Sequence, residues 1–284
     1  MKHLILHFFF MIPSDFIKDI FFKQQQKEQV PSNEVIADWA LQLICVLYPE
    51  LSKCSYASLD AIADELLKLQ DELTRILDAT RACNNCDHDV VSQQFFDNLP
   101  ELYRLLNSDI DAIHQGDPAA TSEFEVIRAY PGFFALCFFR IAHALHQLEV
   151  PLLPRILTEF AHSKTGIDIH PAAKIGEHFM MDHGTGVVIG ETTVIGNHVK
   201  IYQGVTLGGL SINKNMARQK RHPTIEDNVV IYSGATILGG DTLIGEGSVI
   251  GGNVWLTQSV PPGSLVFQNP QITIIENKYI KNNA

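Results

Sequence analysis

This sequence of 284 residues predicts an α+β architecture: an α-helical N-terminal domain followed by a left-handed parallel β-helix with one extruded loop. Three observations carry the prediction. Apolar residues recur at three- and four-residue steps up to about Arg155. After Thr165 the period becomes six. A single long polar stretch then interrupts the six-residue rhythm.

The first element, residues 1–30, is an extension with no assigned role. Its apolar run Leu4–Ile12 is too short to span a bilayer, and Asp15 and Lys18 stand where a signal peptide would need small cleavage-site residues. It reads either as a packing segment or as residues ahead of a true start at Met11. The helical domain, 31–165, shows its stripe best in Leu59, Ile62, Leu66, Leu69, Leu73, Ile76 and Leu77, with Ser58 placed as N-cap. Similar stripes cover Val35–Leu51, Phe95–Ile113 and Phe134–Leu148, broken near Asn84-Asn85 and Gly116-Asp117-Pro118.

The β-helix, 166–268, rests on aliphatic residues at fixed stations. Ile169, Ile175, Ile189, Ile195, Ile201 and Leu207 open the series. Ile225, Ile231, Ile237, Ile244, Ile250 and Leu256 continue it. Each hexad supplies one short strand and a turn, and no coil buries its apolar face alone, so coils must stack. Two interruptions stand out. The step from Met181 to Ile189 is eight residues instead of six, and it contains Asp182-His183-Gly184. The stretch 208–224 carries Lys214, Arg218, Lys220 and Arg221 and no acid, so it is expected to project as a loop and to meet an anionic ligand. A tail, 269–284, closes the chain.

A net charge of -11 argues against nucleic acid or anionic membrane as the main partner. Five cysteines in so long a chain read as reduced thiols of a cytoplasmic protein. Cys83 and Cys86, with His88 nearby, lack the second ligand pair of a zinc site, and the histidine falls one residue late for haem attachment. Their spacing reads as coincidence. His170, His178 and His183 have no carboxylate partners at a spacing that demands a metal, and none is expected. All five cysteines precede residue 138, so the repeat region offers no thiol to carry an acyl group.

Several segments resemble the serine acetyltransferase family of hexapeptide acyltransferases. They are Asp168–Gly176, Met181–Glu191, Val205–Gly209 with Arg221-His222-Pro223, Ser259–Gly263, and Asp117–Ala120 in the helical half. The resemblance runs from roughly residue 100 to 270 and implies transfer of acetyl from acetyl-CoA to L-serine in cysteine biosynthesis, with no tightly bound cofactor. It implies His183 as general base, Asp168 holding the other ring nitrogen, and His222 near the reacting centre. Asp117 and Asp182 would bind the substrate ammonium, and Arg221 its carboxylate. Gly208, Gly209, Ser233 and Gly252 would border acetyl-CoA, although the family has alanines where Ser233 and Gly252 stand. The basic loop residues would meet its phosphates.

Also implied are feedback inhibition by L-cysteine and a homotrimer whose helical domains can join two trimers. Family members engage cysteine synthase through a terminal isoleucine. The end Tyr279–Ala284 lacks it, which counts against that partnership. Rival readings are an acyltransferase for homoserine or an amino sugar, a scaffold without activity, and a zinc carbonic anhydrase on the same fold. The acid pair favours a substrate with an ammonium group, a test that homoserine also passes.

Overall fold

A computed structural model describes residues 12–26, 30–51, 55–80, 87–210 and 219–269. Cys83, Cys86, Lys214, Arg218, the start before Ile12 and the chain beyond residue 269 lie outside these residues. The helices are α1 (Ser14–Gln25), α2 (Asn33–Leu47), α3 (Leu59–Thr80), α4 (His88–Asp97), α5 (Leu99–Gly116), α6 (Glu123–Ala129), α7 (Pro131–Gln147) and α8 (Leu153–Thr165), with a 3₁₀ turn at Pro49–Leu51. Ser58 caps α3 by accepting the Ala61 N–H at 3.1 Å. The stripe Phe95–Ile113 divides at Asn98 into two helices, because Pro100 opens α5 in its first turn. Among the described residues, no helix is long and apolar enough to cross a membrane.

From Asp168 onward the chain winds through short parallel strands in three sheets, the arrangement of the left-handed β-helix. Sheet one stacks β1 (Asp168–Ile169), β4 (Val188–Ile189), β7 (Thr206–Gly208), β10 (Thr236–Leu238) and β13 (Trp255–Leu256). Sheet two stacks β2 (Lys174–Ile175), β5 (Val194–Ile195), β8 (Thr224–Ile225) and β11 (Leu243–Ile244). Sheet three stacks β3 (Met180–Met181), β6 (Lys200–Ile201), β9 (Val230–Ile231), β12 (Val249–Ile250) and β14 (Leu265–Val266). Ile169, Ile189, Leu207 and Ile237 sit in register above one another and are almost wholly buried. The six-residue period is thus a column of aliphatic side chains inside a triangular prism.

Helix α7 joins the two halves. Phe133, Cys137, Phe138, Ile141 and Leu145 belong to the helical core, while Ala135, Leu136 and Phe139 enter the core of the prism. Arg140, on the same helix, is 5% exposed. Its guanidinium grips Asp109 of α5 through two hydrogen bonds, of 3.0 and 2.9 Å. It also donates to the carbonyls of Ile175 and Gly176, both at 2.7 Å. Asp109 in turn accepts the Phe179 N–H at 3.1 Å, and Ser108 accepts that of His178. This fork satisfies both charges and fixes the first coil against the helices.

Removing one member of a buried, hydrogen-bonded pair leaves the other uncompensated. Arg140→Met is expected to lower stability by about 3–5 kcal/mol. Asp109→Leu with Arg140→Met should cost less than the two single losses combined. Denaturant midpoints of the three variants check this, and strictly additive losses would remove the coupling.

Candidate active site

The prism has three corners, and two of them hold most of the residues expected to act. The first links sheet three to sheet one. On it the chain leaves β3 at Asp182, whose carbonyl accepts the Gly184 N–H at 2.6 Å, a tight turn about His183. His183 and Gly184 take the left-handed conformation, with φ of 55° and 78°. The two residues beyond a regular hexad are used here, which lets the imidazole stand clear of the coil. Its side chain is 69% exposed, and its Nδ1 lies 3.7 Å from the Asp182 carboxylate.

The helical half brings Asp117 to the same corner. Two glycines permit the approach on either side of β3. A Cβ on Gly116 would overlap the Met180 side chain, and one on Gly132 would stand 2.5 Å from the Met181 carbonyl. Asp117 Oδ2 accepts the Tyr130 hydroxyl at 2.6 Å, and Oδ1 accepts the Ala119 N–H at 2.8 Å. The hydrogen bond from Tyr130, then that from Ala119, hold the Asp117 carboxyl below the usual carboxylate range, with a smaller contribution from His183. Tyr202, stacked on Tyr232 with ring centroids 5.1 Å apart, continues the corner above Asp182. Ser233 and Gly252 follow on the same edge, where Asn253 N–H bonds to the Ser233 carbonyl at 2.9 Å.

The second corner links sheet one to sheet two and carries Glu191, Thr192, Arg221 and His222. Thr192 Oγ1 accepts the backbone N–H groups of Arg221 and His222 at 2.9 and 3.1 Å. His222 Nδ1 accepts the Thr192 N–H at 3.0 Å, so the neutral ring keeps its proton on Nε2. The ring lies over Gly190, where any Cβ would overlap it. Burial lowers the His222 pKa to about 4, and Arg221 adds to the shift; burial does the same at His170, also to about 4. Arg221 pairs with Glu191. Lys220 donates to the carbonyls of Thr192 and Pro223 at 2.7 and 3.1 Å, so it braces the base of the loop. Gly208 and Gly209 stand where the loop leaves this end of sheet one.

The expected residues therefore fall into two groups. Asp117, Asp182, His183, Ser233 and Gly252 share one corner; Arg221 and His222 share the other. Asp168 lies on β1, in a group with Glu159 and His162 whose donor atoms are within 4.8 Å of one another. Among the described residues no hydrogen bond joins it to His183. Tyr130, Glu191 and Thr192 had no role in the sequence reading. Tyr130 lies 13 residues from its partner, Thr192 lies 30 from His222 and Glu191 lies 30 from Arg221, with no local pattern to link them.

The neutral histidines set a pH dependence. Between pH 6.5, their ordinary value, and about 4, the unfolded chain takes up protons at His170 and His222 that the folded chain refuses. Stability should therefore fall as the pH drops from 6.5 to 5, above the carboxylate range, and the slope should flatten in His170→Gln/His222→Gln. Denaturant midpoints across that interval would show an unchanged slope if the assignment were wrong.

No family model matches the chain. Similar proteins are nonetheless plain. The plasmid serine acetyltransferase of Synechococcus elongatus is 57% identical over 183 residues, covering 63% of this chain and 57% of that protein's length. The serine acetyltransferase of Bacillus subtilis is 47% identical over 176 residues, covering 62% of this chain and 79% of that protein. Among solved structures, serine acetyltransferase isoform 3 of Entamoeba histolytica in complex with cysteine is 36% identical, with a TM-score of 0.75 and coverage of 86% of this chain and 85% of that one. Soybean serine acetyltransferase complexed with serine is 32% identical, with a TM-score of 0.57 and coverage of 85% and 98%.

Proposed function

The chain belongs to the serine acetyltransferase family, and on that premise we propose that it moves acetyl from acetyl-CoA to L-serine, giving O-acetyl-L-serine for cysteine biosynthesis. The observation that carries this reading is the meeting of two carboxylates, Asp117 and Asp182, with the exposed imidazole of His183 at one corner. Paired carboxylates suit an ammonium group, and the free imidazole beside them suits the removal of a hydroxyl proton.

The proposed reaction is a direct transfer in a ternary complex. His183 takes the proton of the serine hydroxyl as its oxygen attacks the thioester carbonyl. The carbon–sulfur bond breaks, and the imidazolium returns the proton to the departing thiolate. Asp168 is proposed to hold the ring nitrogen that does not take the proton and to support the imidazolium as it forms, with the Asp182 carboxylate 3.7 Å from Nδ1. His222 can donate from Nε2 to an anionic oxygen of the substrate, and Arg221 can pair with its carboxylate. Cys137 is buried in the helical core, where desolvation holds its thiol protonated, so it is no candidate acyl carrier. Gly208, Gly209, Ser233 and Gly252 are proposed to border acetyl-CoA. L-cysteine, with sulfur in place of the serine oxygen, would meet the same groups, and a relative's structure holds cysteine. A cytoplasmic setting is part of the same proposal.

The two corners flank sheet one of a single chain, so one copy holds His183 and His222 apart. We propose a homotrimer in which each interface pairs the first corner of one copy with the second corner of the next. The helical domains would serve to join two trimers.

Release of CoA thiol from acetyl-CoA should require L-serine, exceed that with homoserine or glucosamine, and fall by roughly two to four powers of ten in His183→Ala. No serine-dependent release by the wild-type enzyme would end the assignment. Retained activity in His183→Ala would leave the reaction and remove the base.

Mixed trimers supply a second test. His183→Ala and His222→Ala, each inactive alone, should regain up to roughly one third of wild-type activity when co-expressed, since every mixed trimer has one intact interface. No recovery in verified mixed trimers would mean that the two histidines act within one copy.

A further inference from the structure

Asp117 is held by two donors, and one of them is the hydroxyl of Tyr130, whose ring packs against the helical core. Asp117 closes α5, its N–H bonded to the Ile113 carbonyl at 3.0 Å, with an extended backbone. Its Oδ1 takes the Ala119 N–H and its Oδ2 takes the Tyr130 hydroxyl. An ionised carboxylate offers about four lone-pair directions, so about two stay open to a further donor. With both oxygens tied, the plane of the group is fixed before any ligand arrives.

Tyr130 is itself rigidly mounted. It ends α6, its N–H bonding to the Val126 carbonyl at 3.2 Å, and it opens α7, its carbonyl accepting the Phe134 N–H at 3.2 Å. Pro131 follows at once, and Gly132 lies on the Met181 carbonyl beside Asp182. The tyrosine therefore stands at the joint between the helical half and the strand that delivers Asp182 and His183. Its hydroxyl is held above its usual range by Asp117 first, with Glu125 and Asp182 contributing. It stays a donor through the whole working range of pH.

From this geometry we infer that Tyr130 is a positioning residue: its hydroxyl locks the Asp117 carboxylate in the plane from which, with Asp182, it receives the substrate ammonium. The inference rests on the serine reading above. Two carboxylates brought to one corner of an acidic chain repel each other. A neutral donor on Asp117 eases that repulsion without using up the charge that the ammonium needs. A cation in place of Tyr130 would consume it. Tyr130 touches the substrate only through Asp117, so its contribution falls on serine binding rather than on the chemical step.

The test is a double-mutant cycle of Tyr130→Phe and Asp117→Asn, with steady-state kinetics and with serine affinity by calorimetry where turnover is too slow to measure. Tyr130→Phe should raise the KM for serine about ten-fold. It should leave kcat and the KM for acetyl-CoA within two-fold of wild type, as expected where only ground-state binding is lost. In the Asp117→Asn background the same exchange should change serine affinity by less than about two-fold. A Tyr130→Phe enzyme with an unchanged KM for serine overturns the inference. So does a uniform loss of kcat and both KM values, or an effect repeated in full without the Asp117 carboxylate. In each case the wild-type enzyme still acetylates serine, which separates this failure from failure of the proposed function.

Discussion

The bidentate contact between Arg140 and Asp109 sets the geometry on which the site depends. A β-helix can start anywhere along its axis, since every coil offers the same open edge. Here the first coil receives two guanidinium hydrogen bonds at Ile175 and Gly176, and Asp109 and Ser108 receive the N–H groups of Phe179 and His178. On the coil these groups run from Ile175 at the end of β2 through the turn to Phe179, just before β3. That turn is immediately followed by Met180 and Met181, against which Gly116 and Gly132 pack. The rotation of the prism relative to the helices is thereby fixed, and Asp117 and Tyr130 arrive beside Asp182. A hydrophobic contact of equal area would tolerate sliding; a fork of directed bonds does not.

Within the prism, conformational freedom is confined to the corners. The corner that carries His183 repeats a left-handed station at Gly186, Gly204, Gly234 and Asn253, with φ between 58° and 80°. At Gly204 the constraint is the angle, since a Cβ there would meet the Cα of Gly234 in the next coil at 3.5 Å, an ordinary contact. His183 adopts φ 55° in the extra residues of the first coil, where no coil lies below to crowd it. A non-glycine residue there costs on the order of 1 kcal/mol or more. The surrounding structure holds it in place: the Asp182–Gly184 bond closes the turn, and Gly184 packs on Ile167. The strained residue is the one with the exposed imidazole.

Much of this was legible in the sequence because it is periodic. Ile169 to Ile250 announced the coil, and the eight-residue step before Ile189 marked the corner that departs from the rule. Arg221 and His222 were visible as the end of the only long interruption. What escaped was contact between elements of different period. Arg140 sits in an apolar stretch of α7 and reads as a lone charge until Asp109, 31 residues away, is folded beneath it. Tyr130 carries no signal of its own in the sequence, because its chemistry depends on Asp117, 13 residues away. Lys220 reads as one of the loop cations that meet an anionic ligand, and only the fold shows its ammonium bound to two carbonyls. Spacing reports neighbours along one element and is silent about neighbours between two.

The charge arrangement at the two corners is unequal, and the inequality bears on how a zwitterion would be held. The first corner presents Asp117 and Asp182 with no cationic side chain bonded to either among the described residues, apart from the titratable His183. It carries an excess of negative charge that an incoming ammonium would neutralise. The second corner presents Arg221 already paired with Glu191, so a substrate carboxylate would enter as a third member and share the guanidinium. Sharing gains less than pairing, because the existing partner must be displaced or repelled. On the proposed reading the ammonium end is therefore the stronger anchor. The hydroxyl, on the carbon next to the one that bears both charged groups, would be delivered to His183 by the stronger anchor, on the same copy of the chain. A molecule lacking the ammonium would lose that delivery even if its carboxylate reached Arg221.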